Sequence, residues 1–137
     1  MSVHTQNPAA LFQPAMYSQL AVAAGTRTVF VAGQAPFDAS GKLVGSGDLA
    51  AQTEQVLRNI ATALAAAGAS FQDVGRLTIY LVGSKGPSTM EQLGAGYARA
   101  IDAIGADVAP RPVTMVVVAG LAVPEQLIEI EATAVLA

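Results

Sequence analysis

Leu127-Ile128-Glu129-Ile130-Glu131-Ala132-Thr133-Ala134-Val135 alternates, from Ile128 onward, between aliphatic and polar side chains. Successive side chains of a strand point to opposite faces, so Ile128, Ile130, Ala132 and Ala134 share one face and Glu129, Glu131 and Thr133 the other. Two carboxylates thus stand side by side on one strand. Only 12% of the chain is charged, so that face is either wet or lines a pocket where a carboxylate has a task.

Working outward from this strand, the segment 113–119 is apolar on both faces, as expected of a central strand or of one buried against a neighbouring subunit. Residues 120–126 turn the chain between the two. Upstream, residues 74–82 alternate, with Leu77, Ile79 and Leu81 on one face and Arg76, Thr78 and Tyr80 on the other. Met90, Leu93, Tyr97, Ile101 and Ile104 recur at the spacing of one helix face, after a turn-rich connection over 83–88. An earlier helix is predicted from Asp48, a fit N-cap, through Leu49, Val56, Ile60 and Leu64 to Gly68 at the C′ position. Residues 19–24 and 28–33 read as two short strands joined hairpin-like at Gly25-Thr26, followed by a long loop through Pro36, Gly41, Gly45 and Gly47.

The order β-β-α-β-α-β-β predicts an α+β domain, a single sheet with two helices on one face. Residues 1–14 read as a loose tail and 15–137 as the domain; a chain of 137 residues suits one domain. The second sheet face then lacks cover, and with 53% hydrophobic residues a closed homo-oligomer is expected, with ligand pockets between subunits.

Composition removes several kinds of chemistry. With no Cys there is no disulfide, thiolate nucleophile or cysteine-held metal. The sole His, His4, lies in the predicted tail, so imidazole metal sites and serine–histidine catalysis lack their central group. No metal or cofactor is expected. Seven Lys and Arg at a net charge of −3 make no basic stripe, so nucleic acid is not the expected partner. No apolar run approaches membrane-spanning length and no secretory signal is read, so a cytoplasmic location is expected. Gly41-Lys42 and Gly45-Ser46-Gly47 lack the Gly-Lys-Ser/Thr of a phosphate-binding loop.

Several short stretches in order, Ala15-Met16-Tyr17-Ser18-Gln19, Val29-Phe30-Val31-Ala32-Gly33-Gln34-Ala35-Pro36, Gln52-Thr53 to Asn59, Ala67-Gly68-Ala69, Thr78-Ile79-Tyr80-Leu81 and Ile128-Glu129-Ile130-Glu131-Ala132, resemble the Rid (YjgF-like) family, whose older label is endoribonuclease L-PSP. The resemblance covers nearly the whole chain beyond the tail. It implies a chorismate-mutase-like fold, a homotrimer with a central barrel, and a cleft at each subunit interface. It also implies a cofactor-independent deaminase, like those for iminobutanoate and iminopropanoate, that hydrolyses enamines and imines to a carbonyl compound and ammonia. The alternatives are a non-catalytic ligand-binding or protective trimer and an endoribonuclease.

Carried across residue by residue, Tyr17 matches the cleft tyrosine, Gly33 the glycine whose backbone borders the pocket, and Glu129 the glutamate that positions or activates water. Ala32 stands where deaminases usually have Ser, and Gly94 where some have Asn. The family's carboxylate-gripping arginine falls in register on Val113, with Arg111 two residues earlier. Two residues along an extended chain return to the same face, displaced by about 6–7 Å. Arg111 is therefore either a displaced cleft residue or a surface residue fixed by the bend of Pro110 and Pro112.

Overall fold

A computed structural model describes residues 2–83, 86–105 and 110–137. The strands are β1 (Val3–Gln6), β2 (Leu20–Ala23), β3 (Arg27–Gln34), β4 (Val74–Val82), β5 (Val113–Val118) and β6 (Ile128–Leu136), with helices α1 (Leu49–Ala66) and α2 (Pro87–Ile104). Ser84 and Lys85, which belong to the predicted connection over 83–88, lie outside the described residues.

The main sheet has the order β3-β6-β4-β5. β6 pairs antiparallel with both β3 and β4, whereas β4 and β5 are parallel, an arrangement that needs a crossover such as α2 supplies. The alternation read in β6 holds along its length: Ile128, Ile130, Ala132 and Ala134 are buried and Glu129, Glu131 and Thr133 half-buried. The aliphatic face meets Leu77, Ile79 and Leu81 of β4 and the stripe Val56, Ile60 and Leu64 of α1 in one core.

The helix ends follow their sequence signals. Asp48 Oδ1 accepts from the Ala51 N–H (3.1 Å) at the start of α1. At its end Gly68, at φ 75°, sends its N–H to the Ala65 carbonyl (3.0 Å), and the Ala69 N–H reaches Leu64 (2.9 Å), closing the carbonyls that would otherwise be orphaned. Pro87 opens α2, and Gly105 ends it in the left-handed region.

Three expectations change at the N-terminal side. Residues 3–6, read as part of a loose tail with His4, form β1, which pairs antiparallel with β2. The β2–β3 hairpin is not made; β2 pairs with β1 and runs beside β4. The connection passes over the end of β6 instead, where the Thr26 N–H donates to Leu136 O (2.9 Å) and any Cβ on Gly25 would overlap the Leu136 carbonyl. Strand pairing therefore falls into two sheets, β1-β2 and the four-stranded one, rather than a single sheet. Of the two readings of β5, the central strand is overturned: it is an edge strand of this chain, with Met115, Val116 and Val117 exposed, which is where a strand covered by a neighbour would stand.

Candidate functional site

Strand register sorts the predicted site residues onto two faces. Glu129 stands opposite Tyr80, and Glu131 opposite Thr78, on the face away from the helices. On the β3 side the pairing Val31↔Ala132 is followed by Gln34↔Ile130, so two residues, Ala32 and Gly33, fill the place opposite Glu131. That is a β-bulge, a device that bends a strand and re-aims what lies next to it. A Cβ on Gly33 would stand 2.9 Å from both Cδ and Oε1 of Glu129. The Glu129 carboxylate thus lies directly on the bare backbone of Gly33.

The two glutamates differ in their partners. Tyr80 donates its hydroxyl to Glu131 Oε1 (2.8 Å), and that hydrogen bond, with some burial, raises the Tyr80 pKa. Among the described residues none donates a hydrogen bond to the Glu129 carboxylate. Arg76 on the same face reaches Thr114 Oγ1 at 3.4 Å, and among the described residues Glu129 forms no ion pair.

Tyr17, Gly94 and Val113 gather on the helix side. They border a cavity of ≈ 300 Å³ between α2 and β5, walled by Ile79, Leu93 and Tyr97. Val113 is in register with Leu77, which fixes it to the aliphatic face. Tyr17 is carried there by its neighbour: the Ser18 N–H donates to Arg111 O (3.1 Å) and Ser18 Oγ to Pro110 O (2.7 Å). Within one chain the structure therefore brings Glu129 and Gly33 together, and Tyr17, Gly94 and Val113 together, on opposite faces of the sheet.

Arg111 is not the surface residue of one sequence reading, for it is 4% exposed. Its side chain lines a second cavity, of ≈ 270 Å³, that shares Gly94, Tyr97 and Val113 with the first. Among the described residues its Nε has no hydrogen-bond partner. Burial lowers its pKa, and the Asp73 carboxylate opposes that shift. The Tyr97 hydroxyl is likewise sealed and, among the described residues, unpartnered, and burial pushes its pKa up to about 12.

Two organising residues received no role in the sequence reading. Gln52, fully buried, donates to Gly45 O (3.0 Å) and Glu125 O (2.8 Å) and accepts from the Leu127 N–H (2.8 Å). It ties the long loop and the start of β6, two residues before Glu129, to α1. Asn59 donates to Ala35 O (3.1 Å) and Phe37 O (2.9 Å), just past the bulge. The visible signal was Gln52 itself, a polar residue on the stripe of Val56, Ile60 and Leu64. Among the described residues no group of three His, Cys, Asp or Glu is placed to hold a metal ion, and no helix is long and apolar enough to cross a membrane.

Residues 7–136 match the model of the family described as endoribonuclease L-PSP. A Rid-family protein of unknown function from Yersinia pestis, YyfB, is similar at 38% identity with a TM-score of 0.84, over 99% of this chain and 100% of that one. The structure of Escherichia coli TdcF with bound serine is similar at 26% identity and a TM-score of 0.67, over 100% and 99% of the two chains. A RutC family protein of Pyrococcus horikoshii is 42% identical over 81 residues, 59% of this chain and 63% of the relative. The matched stretches span 63%, 42% and 50% of the lengths of three curated relatives.

Proposed function

The chain belongs to the endoribonuclease L-PSP (YjgF/Rid) family, and from that premise we propose that it is a cytoplasmic homotrimer that hydrolyses small enamines or imines to a carbonyl compound and ammonia, without cofactor, between subunits. The observation that carries the reading is the Glu129 carboxylate, set on Gly33 and, among the described residues, left without a donor while Glu131 is tied to Tyr80. A carboxylate with free lone pairs is what a general base needs. In the proposed reaction Glu129 takes a proton from water as its oxygen bonds to the C=N carbon. The proton is then returned to nitrogen, giving a carbinolamine; Glu129 next takes the hydroxyl proton and passes it to the same nitrogen as the C=O bond forms and the C–N bond breaks, so that imine plus water becomes carbonyl plus ammonia. Backbone groups near Gly33 and Val113 polarise the substrate.

The division of Glu129, Ala32 and Gly33 from Tyr17, Gly94 and Val113 supports the intersubunit part of the proposal, because residues on opposite faces of one sheet meet across a contact between copies. The buried Arg111 favours a second reading, ligand binding without hydrolysis, since a guanidinium only 4% exposed is not offered to a substrate carboxylate. A net charge of −3 argues against ribonuclease action.

The test is decay of a trapped imine generated by an amino-acid oxidase. Wild-type protein is expected to accelerate it, and Glu129→Gln to lose roughly 10²–10⁴-fold of that acceleration. Gly33→Ala, by displacing the carboxylate, is expected to lose activity in the same direction. No acceleration with imines of several amino acids would leave the binding reading.

A further inference from the structure

α2 contains two glycines two residues apart, and only one of them has a packing reason. A Cβ on Gly96 would stand 2.5 Å from Thr53 Cβ and 2.6 Å from the Ala50 carbonyl oxygen, so the approach of α1 requires glycine there. A Cβ on Gly94 would meet nothing within 4 Å. Glycine inside a helix is less stable than alanine because it loses more backbone freedom on folding. Packing thus gives no account of Gly94. What its missing side chain leaves is space, for Gly94 borders both the ≈ 300 Å³ and the ≈ 270 Å³ cavities.

The chemistry of the larger cavity restricts its occupant. Among the described residues no charged side chain borders it; Ile79, Leu93 and Val113 wall it, and Met16, Met90 and Met115 complete it. A carboxylate or ammonium inside would lose its water without gaining a partner, whereas an alkyl or aryl group would gain by burial, and thioethers adapt to irregular shapes. Its volume lies at the lower end for small-molecule sites. Tyr17 and Val113, both candidate substrate-binding residues, join it to the proposed cleft.

We propose that this cavity receives the apolar side chain of the substrate and that Gly94 sets its size, so that the favoured ligands derive from branched or aromatic amino acids. The inference rests on the reading of the protein as a binder of imines or the matching keto acids; hydrolysis itself is not required. Calorimetric titration with the keto acids of alanine, leucine and phenylalanine would test it on wild type, Gly94→Leu and the milder Gly94→Ala, beside imine decay for the same three amino acids. Wild type should prefer the larger ligands by about tenfold or more, and Gly94→Leu should reduce that ratio by about tenfold, with Gly94→Ala between. A wild type without size preference, or a preference that survives both substitutions, would overturn the inference. A change in assembly mass in Gly94→Leu, without change in the ratio, would also overturn it, by assigning the cavity to a second copy. Size-selective binding with no imine accelerated would instead remove the hydrolytic reading and leave the inference standing.

Discussion

The Tyr97 hydroxyl departs from satisfied burial, because its oxygen is sealed and among the described residues has no partner. Tyr97→Phe keeps the ring and removes an uncompensated polar atom, so it is expected to stabilise the fold by roughly 1 kcal/mol. Burial places the Tyr97 pKa at about 12, against about 10 in an unfolded chain. Between those values the unfolded state has released the proton and the folded state still holds it. The contribution is therefore intact below about pH 10 and falls as pH rises toward 12, by on the order of 1 kcal/mol per pH unit. Urea unfolding at pH 8 and pH 11 checks both parts: the advantage of Tyr97→Phe over wild type should be larger at the higher pH. An equal difference at both would show that the hydroxyl finds a partner.

At the scale of elements, α2 makes a prediction of opposite signs within one helix. Gly96→Ala forces a Cβ against the Ala50 carbonyl, which is backbone and cannot rotate away, so α1 and α2 must part at a cost of about 1–3 kcal/mol. Gly94→Ala meets open space and should gain about 0.5–1 kcal/mol by removing backbone freedom from the unfolded chain. Denaturant midpoints for the two variants would check the pair, and two shifts of the same sign would refute it. Nothing in the spacing of Met90, Leu93, Tyr97 and Ile101 separates these glycines, although that spacing makes the helix itself plain. The same holds elsewhere. α1, β4 and β6 were legible because each carries its periodicity locally, while β1 was not, because Val-His-Thr-Gln has one apolar residue and gains its partner from residues 20–23. The pairing of β2 was misread for a related reason: the end of β6, far along the chain, occupies the turn at Gly25 and Thr26.

At the scale of the whole molecule, β5 and the open face of the sheet call for cover. β5 is apolar at every position but Thr114, yet it forms an edge, with Val117 55% exposed. At the opposite edge strand Phe30, which shares the open face with Glu131 and Thr133, is 80% exposed. Long apolar edges left bare lead to uncontrolled pairing, and a closed assembly removes that hazard. It would also bring together candidate residues that one chain holds on opposite faces. That is why the sequence could name Glu129, Gly33 and Tyr17 individually but not the distance between them, and why Arg111, set by the fold of residues 110–112 under Ser18, had to be seen before it could be placed. Phe30→Asp and Val117→Lys change side chains that are solvent-facing in the single chain, so each chain should still fold, as far-UV circular dichroism would report. Placing a charge in a buried contact without a partner opposes association, so both are expected to shift the protein from three chain masses toward one in light scattering. A wild type that already sedimented as a monomer at micromolar concentration would defeat the trimer, and with it the proposal that one copy completes the other's site.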